Sequence, residues 1–195
     1  MKDQIIRTFR ESADLKVRFI RQNVDVLGQA IQIIVEAFKT GNKVLLFGNG
    51  GSAADAQHLA AEFVNRFQRE RRPLPAIALT VDTSVLTSIS NDYGFEDIFS
   101  KQLQALGQAG DVALGISTSG RSPNVLKALK WARENGLQTV AWAGAEKTDL
   151  DAYCDLILHI PSGVTARVQE GHITFGHVLC MLVEEILFGE RKGLA

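Results

Sequence analysis

The 195-residue sequence predicts an α/β protein. The expected architecture is a doubly wound, five-stranded parallel sheet in the order 2-1-3-4-5, flanked by helices, with two extra helices at the N-terminus. Two observations carry this. Short, nearly all-apolar runs alternate with helical segments, the pattern of strands buried on both faces. Glycine- or hydroxyl-rich stretches follow the first and third of these runs and lead directly into helices, the place where open parallel sheets bind ligands.

Residues 3–22 and 24–40 read as two amphipathic helices, the first marked by Ile5, Ile6 and Phe9, the second by Ala30, Ile33, Ile34 and Phe38. Gly41 with Asn42 closes the second. "KVLLFG" is the first strand, a helix follows from Ser52 to Phe67, and "PAIALT" is the second strand. Two helical segments cover Ser84 to Leu106, interrupted by "NDYGF". "DVALGIS" is the third strand and "SPNVLKALKWARENG" a helix stopped by Gly136. "LQTVAWAG" and "CDLILHIP" make the fourth and fifth strands, and a long helix runs from Thr165 to Phe188. No repeat, low-complexity tract or long linker breaks the alternation, so residues 1–195 read as one domain with 1–40 as a helical extension. That extension is longer than coverage of the sheet needs, and the last helix is apolar around most of its circumference. Such helices are either buried centrally or packed on another subunit, and an oligomer is expected.

The formal net charge of -1 argues against a nucleic-acid-binding chain that relies on a basic surface. One basic run, Arg66 to Arg72 in "RFQRERR", reads as a solvated helix end because Glu70 lies within it and prolines follow. Cys154 and Cys180 have neither metal nor redox spacing, which points to a reducing compartment. The N-terminus alternates charged and apolar residues without the apolar stretch of a signal peptide. The most apolar segment, "ITFGHVLCMLVEEILFG", is interrupted by His177, Glu184 and Glu185, so no membrane span is expected and the location expected is cytoplasmic.

Two loops have the chemistry to hold a phosphate. In "GNGGSAA", Gly48 to Ala54, glycines allow close backbone approach and the next helix offers free N–H groups. The loop also satisfies G-x-G-x-x-A through Gly48, Gly50 and Ala53. The acidic residue a dinucleotide site wants about 20 positions on comes too late, at Asp82, and no lysine follows as in a P-loop. A tight turn needed only for packing remains the plain alternative. In "GISTSGRSPN", Gly115 to Asn124, Ser117, Thr118, Ser119 and Ser122 surround Gly120 before a helix. Ser122 followed by Pro123 suits an ordinary N-cap, but four hydroxyls exceed what capping requires and suit a phosphate monoester.

His58 and Glu62 stand at i and i+4 on one helix face, and Gln169 and His177 lie two turns apart on the last helix. A histidine and a carboxylate beside a phosphate crevice could act as a general acid/base pair, and the set of four could hold a divalent metal such as zinc. Equally, Glu62 could be a surface charge and His177 a hydrogen-bonded core histidine. His159 and His172 read as structural or surface residues. "SNDYGF", Ser90 to Phe95, is either a helix–helix turn or a ligand-facing loop.

Four stretches, "GNGGSAADAQHLAAEF", "NDYGFEDIFS", "GDVALGISTSGRSPNV" and "ARVQEGHITFGH", together resemble the sugar isomerase (SIS) domain family, and within it the phosphoheptose isomerases. The resemblance spans essentially the whole chain. It implies interconversion of sedoheptulose 7-phosphate and D-glycero-D-manno-heptose 7-phosphate, an early step toward lipopolysaccharide heptose, by a homotetramer with sites between subunits and one zinc ion per subunit. By motif, it implies substrate contacts from Asn49, Gly50, Gly51, Asn91 and Asp92, and a phosphate held by Ser117, Thr118, Ser119 and Ser122 with Ser52 nearby. It also implies metal ligation by His58, Glu62, Gln169 and His177, with Glu62 and His177 as the proton-transfer pair and Gln169 also near substrate. One position departs from the pattern: Ala166 stands where the isomerases often carry an acid. A paralogue of another class, the DnaA initiator-associating protein, resembles the chain throughout but has lost the acid and histidine that match Glu62 and His177.

Overall fold

The computed structural model describes residues 1–189. Its centre is a five-stranded, all-parallel sheet in the order β2-β1-β3-β4-β5, as expected. The strands are β1 (Val44–Gly48), β2 (Ala76–Ala78), β3 (Val112–Ser117), β4 (Gln138–Ala143) and β5 (Leu156–His159). The helices are α1 (Lys2–Lys39), α2 (Gly51–Val64), α3 (Thr83–Asp92), α4 (Ser100–Leu106), α5 (Pro123–Glu134) and α6 (Thr165–Phe188), with short 3₁₀ turns at Phe95–Asp97 and Asp149–Tyr153.

The alternation of side chains along each strand divides the core in two. Val44, Leu46, Val112, Leu114, Ile116, Val140 and Trp142 point toward α1, α2 and α6. Leu45, Phe47, Ala113, Ala141 and Ala143 point toward α4 and α5, where Phe99, Leu103, Val125 and Leu129 cover them. At the opposite end of the strands from the two phosphate-type loops, Asp111 is almost wholly buried. It accepts from the Lys43 backbone (3.0 Å), the Lys43 ammonium (2.6 Å) and the Gln108 backbone (2.8 Å), tying the start of β1 to the start of β3.

Two expectations need correction. The N-terminal extension is one continuous 38-residue helix rather than two. Nothing at residues 22–24 breaks it: Asn23, a poor helix former, turns its amide back to the Phe19 carbonyl (2.9 Å) within the helix. Its first apolar stripe lies open, with Phe9 74% exposed, and apolar burial along the helix begins at Leu15. The basic run is not simply a solvated helix end. Helix α2 stops at Val64, and the Arg71 side chain is 2% exposed, paired with the equally buried Glu184 of α6.

Helix α6 is 24 residues long and, by length and composition, apolar enough to cross a membrane. Here Val168, Phe175, Leu179 and Val183 are taken up by the core beneath α1 and the sheet. His172, 1% exposed, donates from Nε2 toward the Ala143 carbonyl (3.3 Å), and burial pushes its pKa down to about 4 despite that bond. It is a neutral packing residue. His159 is also structural, bridging the Gly144 carbonyl (2.8 Å) and Asp151 (2.9 Å). Both cysteines are buried and free, and burial pushes the Cys154 thiol up to about 12 and raises that of Cys180 as well, so neither is a ready thiolate.

Helices α2 and α6 meet unusually closely. A Cβ at Gly176 would lie 2.6 Å from Leu59 Cδ2 and 3.2 Å from the Trp142 ring, so the absence of a side chain there is what allows the approach. In Gly176→Ala, the gain in helix propensity of about 1 kcal/mol is set against overpacking of about 1–3 kcal/mol. The expected net result in urea unfolding is a lower midpoint, whereas a raised midpoint contradicts the packing. Asp111→Ala strands a lysine and two N–H groups. It is expected to cost about 3 kcal/mol by the same measurement, and a loss below about 1 kcal/mol contradicts the role given to Asp111.

Candidate active site

Strands β1 and β3 are neighbours, so the loops that leave their carboxyl ends face each other. In the first loop the backbone turns at Gly50 (φ 56°, ψ -121°), a conformation open to glycine, and α2 begins at Gly51. Ser52 is buried beneath the turn. Asn49 and Asn124 exchange two amide hydrogen bonds of 2.9 Å each, which lash this loop to the start of α5.

In the second loop Ser122 is the residue before α5 and Pro123 the first within it, as expected, but the Ser122 hydroxyl does not cap the helix. It pairs with the buried Ser117 hydroxyl at 2.9 Å. Ser119 Oγ accepts from the Arg121 backbone (3.1 Å). Thr118 and Ser119 open onto a polar cleft of about 380 Å³, walled by Arg121, Glu146, Ser162 and Thr165. Ala166 lies exposed in the first turn of α6 beside this cleft.

Helices α2 and α6 run side by side in the same direction, and their contacts place the remaining candidates. At the loop end, the Gln169 amide covers Gly51 so closely that any side chain there would collide with it. About two turns further on, His58 Nε2 lies 2.8 Å from His177 Nε2, and the rings meet edge to face at 5.1 Å. Glu62 Oε1 lies 3.4 Å from His58 Nε2. The Phe67 ring closes the far side of His177 at 5.8 Å. Three of the four expected metal-type residues, His58, Glu62 and His177, are thus brought together. Gln169 stands about 12 Å further up the axis of α6, over the glycine loop.

Two imidazole nitrogens and a carboxylate oxygen are donors that zinc accepts. Among the described residues no three His, Cys, Asp or Glu side chains already enclose a metal position. At 2.8 Å the two nitrogens share a hydrogen bond, and zinc, at about 2.0–2.1 Å from each, would enter by parting the rings slightly. The donor set fits the metal in kind, and three of its four members stand close together.

Asn91 and Asp92 end α3, exposed and bonded to each other at 2.8 Å. Helix α3 packs mainly on the turn Phe95–Asp97, and no described contact brings these two to the other candidates within one chain. Sequence reasoning passed over Asp55, Asn124 and Arg71. Asp55 Oδ2 is buried without a partner, and burial raises the carboxyl's pKa against the pull of His58. Its position one turn before His58 was the available signal.

The match to known proteins agrees with this geometry. A family model described as the SIS domain matches residues 8–144. The phosphoheptose isomerase of Aquifex aeolicus is 55% identical over 96% of this chain and 98% of its own. The solved phosphoheptose isomerase of Neisseria gonorrhoeae is 42% identical with a TM-score of 0.89, covering 94% of this chain and 98% of its own. That of Francisella tularensis is 37% identical with a TM-score of 0.90, covering 94% and 97%. With a sugar-isomerase model over most of its length, and relatives of this identity matched nearly end to end, the chain belongs to the SIS domain family and, within it, to the phosphoheptose isomerases.

Proposed function

We propose that the protein interconverts sedoheptulose 7-phosphate and D-glycero-D-manno-heptose 7-phosphate through an enediol, in the bacterial cytoplasm, supplying heptose for lipopolysaccharide. The observation that carries this reading is the meeting of His58, Glu62 and His177 between α2 and α6, on helices that lead away from the phosphate-type loops at the carboxyl edge of the sheet. The initiator-binding alternative is not favoured, since Glu62 and His177 are both present and the relatives are isomerases.

The phosphate is held by Ser117, Thr118, Ser119 and Ser122, with Ser52 supporting the turn, through hydroxyls and helix N–H groups rather than a lysine. Asn49, Gly50, Gly51 and Gln169 line the path from there toward Glu62. Binding energy from the remote phosphate orients the reacting carbons. The Glu62 carboxylate removes a proton from C1 of the ketose while His177 gives one to the oxygen on C2, yielding the enediol. Glu62 then returns its proton to C2 and His177 takes the proton from the C1 hydroxyl, leaving the aldehyde. His58, Glu62 and His177 would hold one zinc per subunit, and Gln169, the fourth residue expected as a ligand, lies against the glycine loop. When bound, the ion would polarise the substrate carbonyl as a Lewis acid.

A homotetramer fits the surface. Ile5, Ile6 and Phe9 on the first turns of α1 are exposed, and an apolar groove of about 220 Å³ lies between α1 and α6, lined by Val17, Phe19, Ile20, Leu27, Phe175 and Val178. Asn91 and Asp92, remote from the site within one chain, would reach the substrate bound by a neighbouring subunit.

Purified protein given sedoheptulose 7-phosphate is expected to form the aldose phosphate, and Glu62→Gln to lower kcat at least about 100-fold. Absence of wild-type turnover with zinc supplied contradicts the reading. Elemental analysis of protein prepared without chelator is expected to find about one zinc per chain, and full activity without metal would remove zinc from the account.

A further inference from the structure

Arg71 and Glu184 form a charge pair buried between the two helices that carry the candidate proton-transfer residues, with both side chains 2% exposed. The Arg71 guanidinium donates from Nε to Glu184 (3.1 Å) and from Nη2 to the backbone carbonyl of Glu62 itself (2.8 Å). Its Nη1 reaches the Phe63 (2.7 Å), Asn65 (3.2 Å) and Arg72 (3.1 Å) carbonyls. A cation here satisfies the free carbonyls at the end of α2. On the other side, Glu184 accepts from three successive backbone N–H groups: Phe67 (3.0 Å), Gln68 (2.9 Å) and Arg69 (2.6 Å). Burial alone would raise the Glu184 carboxyl, but these bonds and Arg71 together hold it below the usual range, so the pair stays charged.

The bonds to Glu184 and to the Glu62 carbonyl bear on the gap between α2 and α6. Glu184 lies two turns beyond His177 on the same helix, and Arg71 grips the residue that supplies the carboxylate. The segment Glu184 anchors begins with Phe67, whose ring packs on His177. Stability alone does not account for the arrangement, because a buried ion pair replaced by apolar residues of similar volume commonly leaves stability unchanged or raised. A fixed geometry does account for it, since such a pair tolerates little change in the distance between its partners.

We propose that Arg71 and Glu184 are positioning residues that set the distance and orientation of Glu62 relative to His177. The proposal rests on the reading of those two as the proton-transfer pair. It predicts an effect on the chemical step rather than on phosphate binding, which takes place in loops at the other end of α2.

The test compares wild type with Arg71→Lys, Glu184→Gln and the double apolar replacement Arg71→Met/Glu184→Leu. With sedoheptulose 7-phosphate, kcat is expected to fall about 10- to 100-fold in each, with KM within about threefold of wild type. Wild-type kcat in a folded double variant overturns the proposal, because a merely structural pair would be replaced by the apolar one. A parallel rise in KM with kcat unchanged also overturns it. Should the double variant not fold, the two single variants decide by the same split between kcat and KM. A second readout does not need turnover. In chelator-treated protein with ¹⁵N-labelled histidine, the His58–His177 hydrogen bond is expected to give a through-bond coupling between the two Nε2 atoms in wild type and to lose it in Glu184→Gln. A coupling retained in that variant overturns the positioning role, whereas wild-type protein that shows the coupling but no isomerisation refutes the functional reading, on which the proposal rests, and is thereby told apart from a failure of the positioning itself.

Discussion

Helices α2 and α6 can lie side by side because position 176 carries no side chain. Leu59 fills the space a Cβ would occupy, and the adjacent His177 therefore reaches His58. The remainder of the site follows from that approach. Both helices start at the carboxyl edge of the sheet and run in the same direction, so residues at matching depths face one another. Gln169 meets Gly51 near the loops, His177 meets His58 in the middle, and Glu184 meets the end of α2 through Arg71. The contact works as a ladder whose upper rung touches the glycine loop and whose lower rung is buried charge.

The sheet supplies the second requirement. Its strands are buried on both faces, so ligand-facing polarity can gather only at their carboxyl edge, where β1 and β3 are neighbours. The two loops are held to each other by paired asparagines and braced internally by paired serines.

Much of this was legible in the chain. Apolar runs such as "KVLLFG" and "DVALGIS" can be little other than doubly buried strands, and Gly-rich and Ser-rich punctuation placed both loops at the right strand ends. The i, i+4 spacing of His58 and Glu62 put them on one face, and the structure brings His177 to that face. What was missed depended on partners far away in sequence. The break expected near residue 23 failed because propensity at one asparagine is weak against a 38-residue helix packed along α6 and β5. Ser122 looked like a cap, and only the presence of Ser117 across the loop diverts its hydroxyl. Arg71 sat in a run of charges that composition assigns to solvent, and nothing local distinguishes it from Arg69 or Arg72. Its burial is decided by Glu184, 113 residues later.

The central claim is that this gap between two helices moves a proton between adjacent carbons of a ketose phosphate. Conversion of sedoheptulose 7-phosphate in deuterium oxide, followed by proton NMR of the aldose product, tests it most directly. Transfer through Glu62 and an enediol predicts solvent deuterium at C2 in at least part of the product, because the proton held on the carboxyl exchanges with solvent before it is returned. Product formed with only the substrate's own hydrogen at C2, at every extent of reaction, would mean direct hydride transfer and would contradict the account.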